Sequence, residues 1–95
     1  GVLVQVNLSG EPQKGGVAPA EVGRLIAACP VEVVGLMTLP PPAEDPERSR
    51  PYFRRLASLA RDHGLRELSM GTSQDFEVAV EEGATIVRIG TTLYV

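Results

Sequence analysis

Apolar residues recur along the chain in two alternating rhythms. Residues 2–8 (VLVQVNL), 31–39 (VEVVGLMTL), 65–70 (LRELSM) and 85–89 (TIVRI) are short segments rich in β-branched and aliphatic side chains. Strands of a parallel sheet, buried on both faces, read this way. Between them the apolar positions fall at helical spacing. The first helix is expected over Pro19–Cys29, with Val22, Leu25, Ile26 and Cys29 as its stripe and Pro30 as its stop. The second is expected over Asp45–His63, with Tyr52, Phe53, Leu56, Leu59 and Ala60 facing inward. Asp45 suits its cap and Pro46 its first position. Pro51 leaves two possibilities, a regular helix starting near Arg50 or a kink. The third is expected over Gln74–Glu82, with Phe76, Val78, Ala79 and Val80 as apolar members and Gly83 as a left-handed stop. Gly35, inside the second strand, predicts a close backbone approach. Strands alternating with helices predict an α/β fold with a parallel sheet.

The polar punctuation matters most at the end of the chain. Gly71-Thr72-Ser73 and Gly90-Thr91-Thr92 are small, hydroxyl-rich stretches, each following a predicted strand. Loops after parallel strands gather at the carboxyl ends of the strands, where ligands bind. Glycine permits close backbone approach to a phosphate, and a helix start favours an anion. Gly71, Ser73, Gly90 and Thr91 are therefore the candidate phosphate cradle, with Ser69 and Met70 leading into it. Arg88 interrupts an apolar strand and must point at a partner. That partner is either a ligand or a carboxylate such as Glu77 or Glu81. Gln5 and Asn7 share one face of the first strand. Asn7 is either a ligand contact or a polar strand end. Lys14 is the only lysine and lies in the loop 9–18 after the first strand.

The stretch SMGTSQDFEVAVEEGATIVRIGT resembles the carboxyl-terminal signature of the pyridoxal phosphate homeostasis protein family, and VLVQVNLSGEPQKGG and VEVVGLMTLPP fit the same pattern in order. The resemblance implies binding of pyridoxal 5′-phosphate (PLP) in a barrel similar to the N-terminal domain of alanine racemase. It also implies that Ser69, Met70, Gly71, Ser73, Arg88, Gly90 and Thr91 are cofactor contacts, with Arg88 facing the pyridine nitrogen. The family's first half carries the lysine that forms the Schiff base with PLP, in a V-x-K strand, and nothing here matches that segment. A K-x-G-x-x-x-x-E element is matched at Lys14, Gly16 and Glu21, so Lys14 is either a contact, an alternative amine or a surface residue.

Ninety-five residues are too few for a complete (β/α)8 barrel of about 250 residues. The expected architecture is thus half of a TIM-type barrel, about four parallel βα units. Residues 1–95 would form the carboxyl-terminal half of a PLP-binding domain. The net charge of -3 argues against nucleic acid as a partner. The basic run Arg48, Arg50, Arg54 and Arg55 is expected to be a solvated helix face. One cysteine, Cys29, excludes an internal disulfide, fits a reducing cytoplasm and is expected in the core. His63 is expected to cap its helix, with no metal set around it. The first segment, GVLVQVNLSG, is too short and too polar for a signal or membrane helix, and no membrane partner is expected.

Three readings follow. The first is a non-catalytic PLP carrier or regulator lacking the Schiff-base segment. The second is a barrel enzyme fragment, racemase-like or acting on a phosphorylated metabolite. The third is a fragment without ligand affinity. A half barrel leaves open sheet edges, so a missing N-terminal half-barrel or a second copy of the chain is an expected partner.

Overall fold

The computed structural model describes residues 1–10, 15–41 and 44–88. Four strands form one sheet: β1 (Val2–Gln5), β2 (Val33–Met37), β3 (Glu67–Thr72) and β4 (Ile86–Arg88). Their order in the sheet is the order of the chain, and every pairing is parallel. Three helices connect them: α1 (Val22–Ala28), α2 (Arg50–Asp62) and α3 (Phe76–Glu81). Short 3-10 turns, Pro19–Glu21 and Pro46–Ser49, lead into α1 and α2.

Alternation along the strands sets two faces. Val4, Leu36 and Leu68 lie in register and are buried with Val6, Leu8 and Met70. Their helical partners are Val22, Phe53, Leu56, Ala60, Val78 and Ala79. Burying each large side chain here contributes roughly 1.5–3 kcal/mol. Gln5, Met37 and Ser69 form the neighbouring row on the other face. In a barrel, that face is the interior.

The strands are shorter than the apolar runs for identifiable reasons. The β1–β2 ladder ends at Gln5↔Met37. Beyond it Val6 bridges to Val17 instead, because Gly16 adopts φ +103 and turns the loop back over the strand. Val17 N–H then donates to the Gln5 carbonyl at 2.9 Å, and Asn7 N–H to the Val17 carbonyl at 2.8 Å. Val31 and Leu39 fall outside β2 and are exposed by 52% and 39%. Prolines 30 and 40 beside them supply no N–H to extend the pairing. Leu65 is spent on ending α2, its N–H donating to the Ala60 carbonyl at 2.9 Å around Gly64 at φ +69. That leaves β3 to begin at Glu67 and to continue through Gly71 and Thr72, which the sequence placed in a turn.

The helices also depart from the expected spans. The Asp45 carboxylate accepts from Glu47 N–H at 2.9 Å, and regular α-helix begins at Arg50, settling the choice Pro51 had left open. Phe53, Leu56 and Ala60 are buried as expected, whereas Leu25 on α1 and Val80 on α3 are exposed by 38% and 55%. Helix α3 is six residues long and begins late, because residues 72–75 close a turn of their own. Gly83 (φ +107) ends it, with Ala84 N–H donating to the Ala79 carbonyl at 2.9 Å. Cys29 ends α1 half-buried against the core rather than within it.

Candidate functional site at the carboxyl ends of the strands

The parallel sheet brings Thr38, Ser69 and Arg88 together across β2, β3 and β4. Arg88 Nη1 donates to Ser69 Oγ at 2.7 Å, and Nη2 donates to the Thr38 carbonyl at 3.1 Å. Ser69 and Thr38 are each only 2% exposed. The guanidinium reaches them because the ladders break here. The β2–β3 pairing stops at Met37↔Ser69, and the β3–β4 register shifts between Ser69 and Thr72. Thr38 is anchored in turn by its hydroxyl, which donates to the Val6 carbonyl at 3.1 Å.

Both acceptors of Arg88 are neutral oxygens. Among the described residues no carboxylate forms an ion pair with it, and Glu81 is bound instead to Arg50. The pKa of Arg88 is lowered from its ordinary value, chiefly by burial, while the more distant charge of Asp75 opposes the shift. Arginine has enough margin to stay protonated. The guanidinium has five N–H donors, so two hydrogen bonds leave it able to offer others.

The turn after β3 is held by Asp75. Its carboxylate accepts from Thr72 N–H at 2.7 Å and from the Thr72 hydroxyl at 3.2 Å. Ser73 sits half-buried inside this turn. Gly71 has a structural reason to be glycine: φ is +102, and a Cβ would stand 2.7 Å from Ala79 Cβ on α3. The close approach it permits is therefore to α3. Met70 is fully buried in the core, so its side chain lies away from Arg88 and only its backbone can serve the site. Gly90, Thr91 and Lys14 lie outside the described residues.

Asn7 and Gln5 serve the loop after β1. Asn7 Oδ1 accepts from Gly10 N–H at 3.0 Å and from the Ser9 hydroxyl at 3.3 Å, and Gln5 Nε2 donates to the Gly15 carbonyl at 3.2 Å. The strand-end reading of Asn7 is the one these contacts support. The basic run is more than a solvated face. Arg50 contacts Glu47 at 2.7 Å, Glu81 at 2.6 Å and Glu82 at 2.6 Å, and Arg54 contacts Glu82 at 3.0 Å. Arg55 donates to the Leu8 carbonyl at 3.1 Å. The run thus ties α2 to α3 and to the end of β1. His63 takes the cap position of α2 and lies over Gly23 of α1.

A cavity of about 430 Å3 on α2 is lined by Arg50, Arg54, Arg55 and Glu47, and its arginines are already engaged by Glu47, Glu81, Glu82 and the Leu8 carbonyl. A cleft of about 280 Å3 beside Ser73 is lined by Glu47, Asp75 and Glu77, whose charges repel phosphate. A larger cavity of about 500 Å3 lies at the amino ends of β2 and β3, far from the carboxyl rim, between Glu32 and Glu67. Among the described residues there is no cluster of metal ligands, and no helix is long and apolar enough to cross a membrane.

Two residues of the site escaped the sequence reading. Thr38 carries no signal, since a threonine near a strand end is ordinary. Asp75 did carry one: Thr72 and Asp75 form the T-x-x-D spacing of a reciprocal cap.

Four parallel strands in chain order, with helices between them, define a (β/α)-barrel segment, with the Arg88 donors at the carboxyl ends of its strands. Comparison with known families narrows the class. The chain belongs to the alanine racemase N-terminal domain family, whose model matches residues 1–95. It is 54% identical over 104 residues to the pyridoxal phosphate homeostasis protein of Aquifex aeolicus, covering 98% of this chain and 45% of that protein. It is 42% identical over 107 residues to the protein of the same name from Homo sapiens, covering 98% and 39% respectively. The structure of PipY from Synechococcus elongatus with PLP bound superposes with a TM-score of 0.76 at 33% identity, over 98% of this chain and 48% of PipY. The chain therefore spans about half the length of the relatives it matches, and the half-barrel expectation stands.

Proposed function

We propose that this chain is the carboxyl-terminal half of a PLP-binding barrel domain, whose whole protein serves PLP homeostasis as a non-catalytic carrier or regulator. The observation that carries this reading is Arg88, a half-buried guanidinium held by Ser69 and Thr38 and, among the described residues, in no ion pair with a carboxylate. Such a group donates and keeps its proton. It suits an unprotonated pyridine nitrogen, and a ring held that way is a weak electron sink, which fits a carrier better than an amino-acid enzyme. PipY, related over nearly the whole of this chain, has been solved with PLP bound.

In this reading Gly71, Ser73, Gly90 and Thr91 supply the phosphate contacts, with Met70 contributing backbone only. Ser69 acts through Arg88. Lys14 is the one lysine available to the cofactor's aldehyde. The lysine of the family's first half would come from an N-terminal half-barrel, or its place would be taken by Lys14 of a second copy. A cytoplasmic setting, expected from the single thiol, belongs to the same proposal.

The test is an absorbance and fluorescence titration of the full chain with PLP, with Arg88→Ala and Lys14→Ala in parallel. Arg88→Ala is expected to weaken binding at least about tenfold, the cost of a charge-assisted hydrogen bond. Equal binding by wild type and Arg88→Ala would remove the ring-nitrogen role. A visible band lost only in Lys14→Ala would assign the aldehyde contact to this half.

A further inference from the structure

We propose that Thr38 is a positioning residue for Arg88, and that through it the end of β1 fixes where the guanidinium points. Thr38 stands where both neighbouring ladders stop, β1–β2 at Gln5↔Met37 and β2–β3 at Met37↔Ser69. Three of its polar groups are used across three strands. Its N–H donates to the Ser69 carbonyl at 3.2 Å, its hydroxyl donates to the Val6 carbonyl at 3.1 Å, and its carbonyl accepts from Arg88 Nη2 at 3.1 Å. The first two bonds hold the backbone that presents the third.

The hydroxyl reinforces the backbone bond that still joins the two strands here, Val6 N–H to the Met37 carbonyl at 2.8 Å. Val6 is 1% exposed and Thr38 2% exposed, so water cannot replace the hydroxyl's bond cheaply. Removing it leaves the Val6 carbonyl without its side-chain donor in a buried place. The strands are then held here by the Val6 N–H bond to the Met37 carbonyl without the side-chain tie, and the Thr38 carbonyl is fixed less firmly for Arg88. Val6 also bridges to Val17 in the returning loop. Thr38 thereby links that loop to a guanidinium three strands away. The geometric claim is independent of PLP; only its consequence for affinity rests on the reading of Arg88 as a cofactor contact.

The experiment is nitrogen-detected NMR of the full chain labelled at arginine, with the Arg88 side-chain signals assigned by their loss in Arg88→Lys. Thr38→Val removes the hydroxyl at constant shape, and Thr38→Ser keeps it. Hindered rotation of the Arg88 Nη groups is expected in wild type and Thr38→Ser. Rotation about tenfold faster is expected in Thr38→Val, as one charge-assisted bond is lost. Leu56→Val, a core change remote from the site, controls for general loosening and should leave Arg88 unchanged. Unchanged Arg88 signals in Thr38→Val, or loosening in Thr38→Ser as great as in Thr38→Val, would overturn the proposal. Should Thr38→Val fail to fold, Ser69→Ala decides: retained hindrance at one Nη group supports the Thr38 carbonyl as its anchor, and free rotation of both refutes it. PLP titration of the same variants separates the two readings. The NMR changes without any PLP binding would leave the positioning intact and sink the cofactor assignment.

Discussion

Arg88 on β4 donates to the Ser69 hydroxyl on β3 at 2.7 Å, and among the described residues no carboxylate forms an ion pair with Arg88. A charge in that setting is stabilised chiefly by dipoles, with Asp75 acting only from a distance, so each oxygen around it counts for more than one neutral hydrogen bond. By its own pattern Ser69 is a small residue at the end of an apolar run, and only the family resemblance singled it out.

Ser69→Ala is therefore expected to destabilise the chain by about 1.5–3 kcal/mol, the range for hydrogen bonds to charged groups. Ser69→Thr keeps the hydroxyl and should retain more of that stability if its methyl fits. Urea unfolding of the three chains checks the difference. Equal midpoints for wild type and Ser69→Ala would show that Arg88 draws its stabilisation elsewhere.

Glu82 makes stability depend on acid. Hydrogen bonds from Arg54 first and Arg50 second hold its carboxyl down to about 2, from an ordinary value of 4.5. A group whose folded pKa is depressed contributes above its unfolded value and loses that contribution as pH falls through the folded one. The Glu82 contribution should accordingly be complete above pH 4.5 and fade down to about pH 2. Glu82→Gln should lower the thermal midpoint at neutral pH and flatten its fall in that acid window. High salt should shrink the difference, since the partner Arg54 side chain is 68% exposed. A wild-type and Glu82→Gln difference that stays constant from neutral pH to about pH 2 would exclude this linkage.

What could be read from the sequence divides along physical lines. Strand and helix order followed from hydrophobic rhythm, which is dictated by burial and therefore written locally. Asp45, Pro46 and Gly83 marked helix ends because capping chemistry is local too. The ends of β1 and β3 were misplaced because a strand extends only as far as its neighbour offers partners, and that depends on the loop carrying Val17 and on the cap of α2. Arg88 stood out as a charge in an apolar strand. Thr38 did not, since the bond it makes to Val6 joins residues 32 apart in the chain. The ties of Arg50 to Glu81 and Glu82 were hidden for the same reason.

Gly35 tests how tightly β2 and β3 approach. A Cβ there would overlap the Glu67 carbonyl oxygen and stand 2.5 Å from Glu67 Cβ. Strand backbone cannot yield without breaking the Gly35↔Glu67 register. Gly35→Ala should cost at least about 1–3 kcal/mol, the range for overpacking. Amide exchange should report loosening first at residues 66–69. An unchanged unfolding midpoint would mean that the strands can separate without penalty.

Gly71 separates backbone strain from crowding. Ala at this position meets two obstacles, φ +102 and Ala79 Cβ at 2.7 Å. The left-handed conformation costs about 1–2 kcal/mol for a residue with a Cβ. The crowding adds about 1–3 kcal/mol. Ala79→Gly removes the second obstacle and leaves the first, at about 1 kcal/mol of helix propensity. In a double-mutant cycle, Ala79→Gly should therefore cost less in the Gly71→Ala background than in wild type, or become stabilising. The double variant should still fall short of wild type by at least the conformational cost. Strict additivity would show that Ala79 is not what confines Gly71. The close-approach argument would then return to the phosphate side of the loop, where PLP affinity per folded molecule of Gly71→Ala gives the answer.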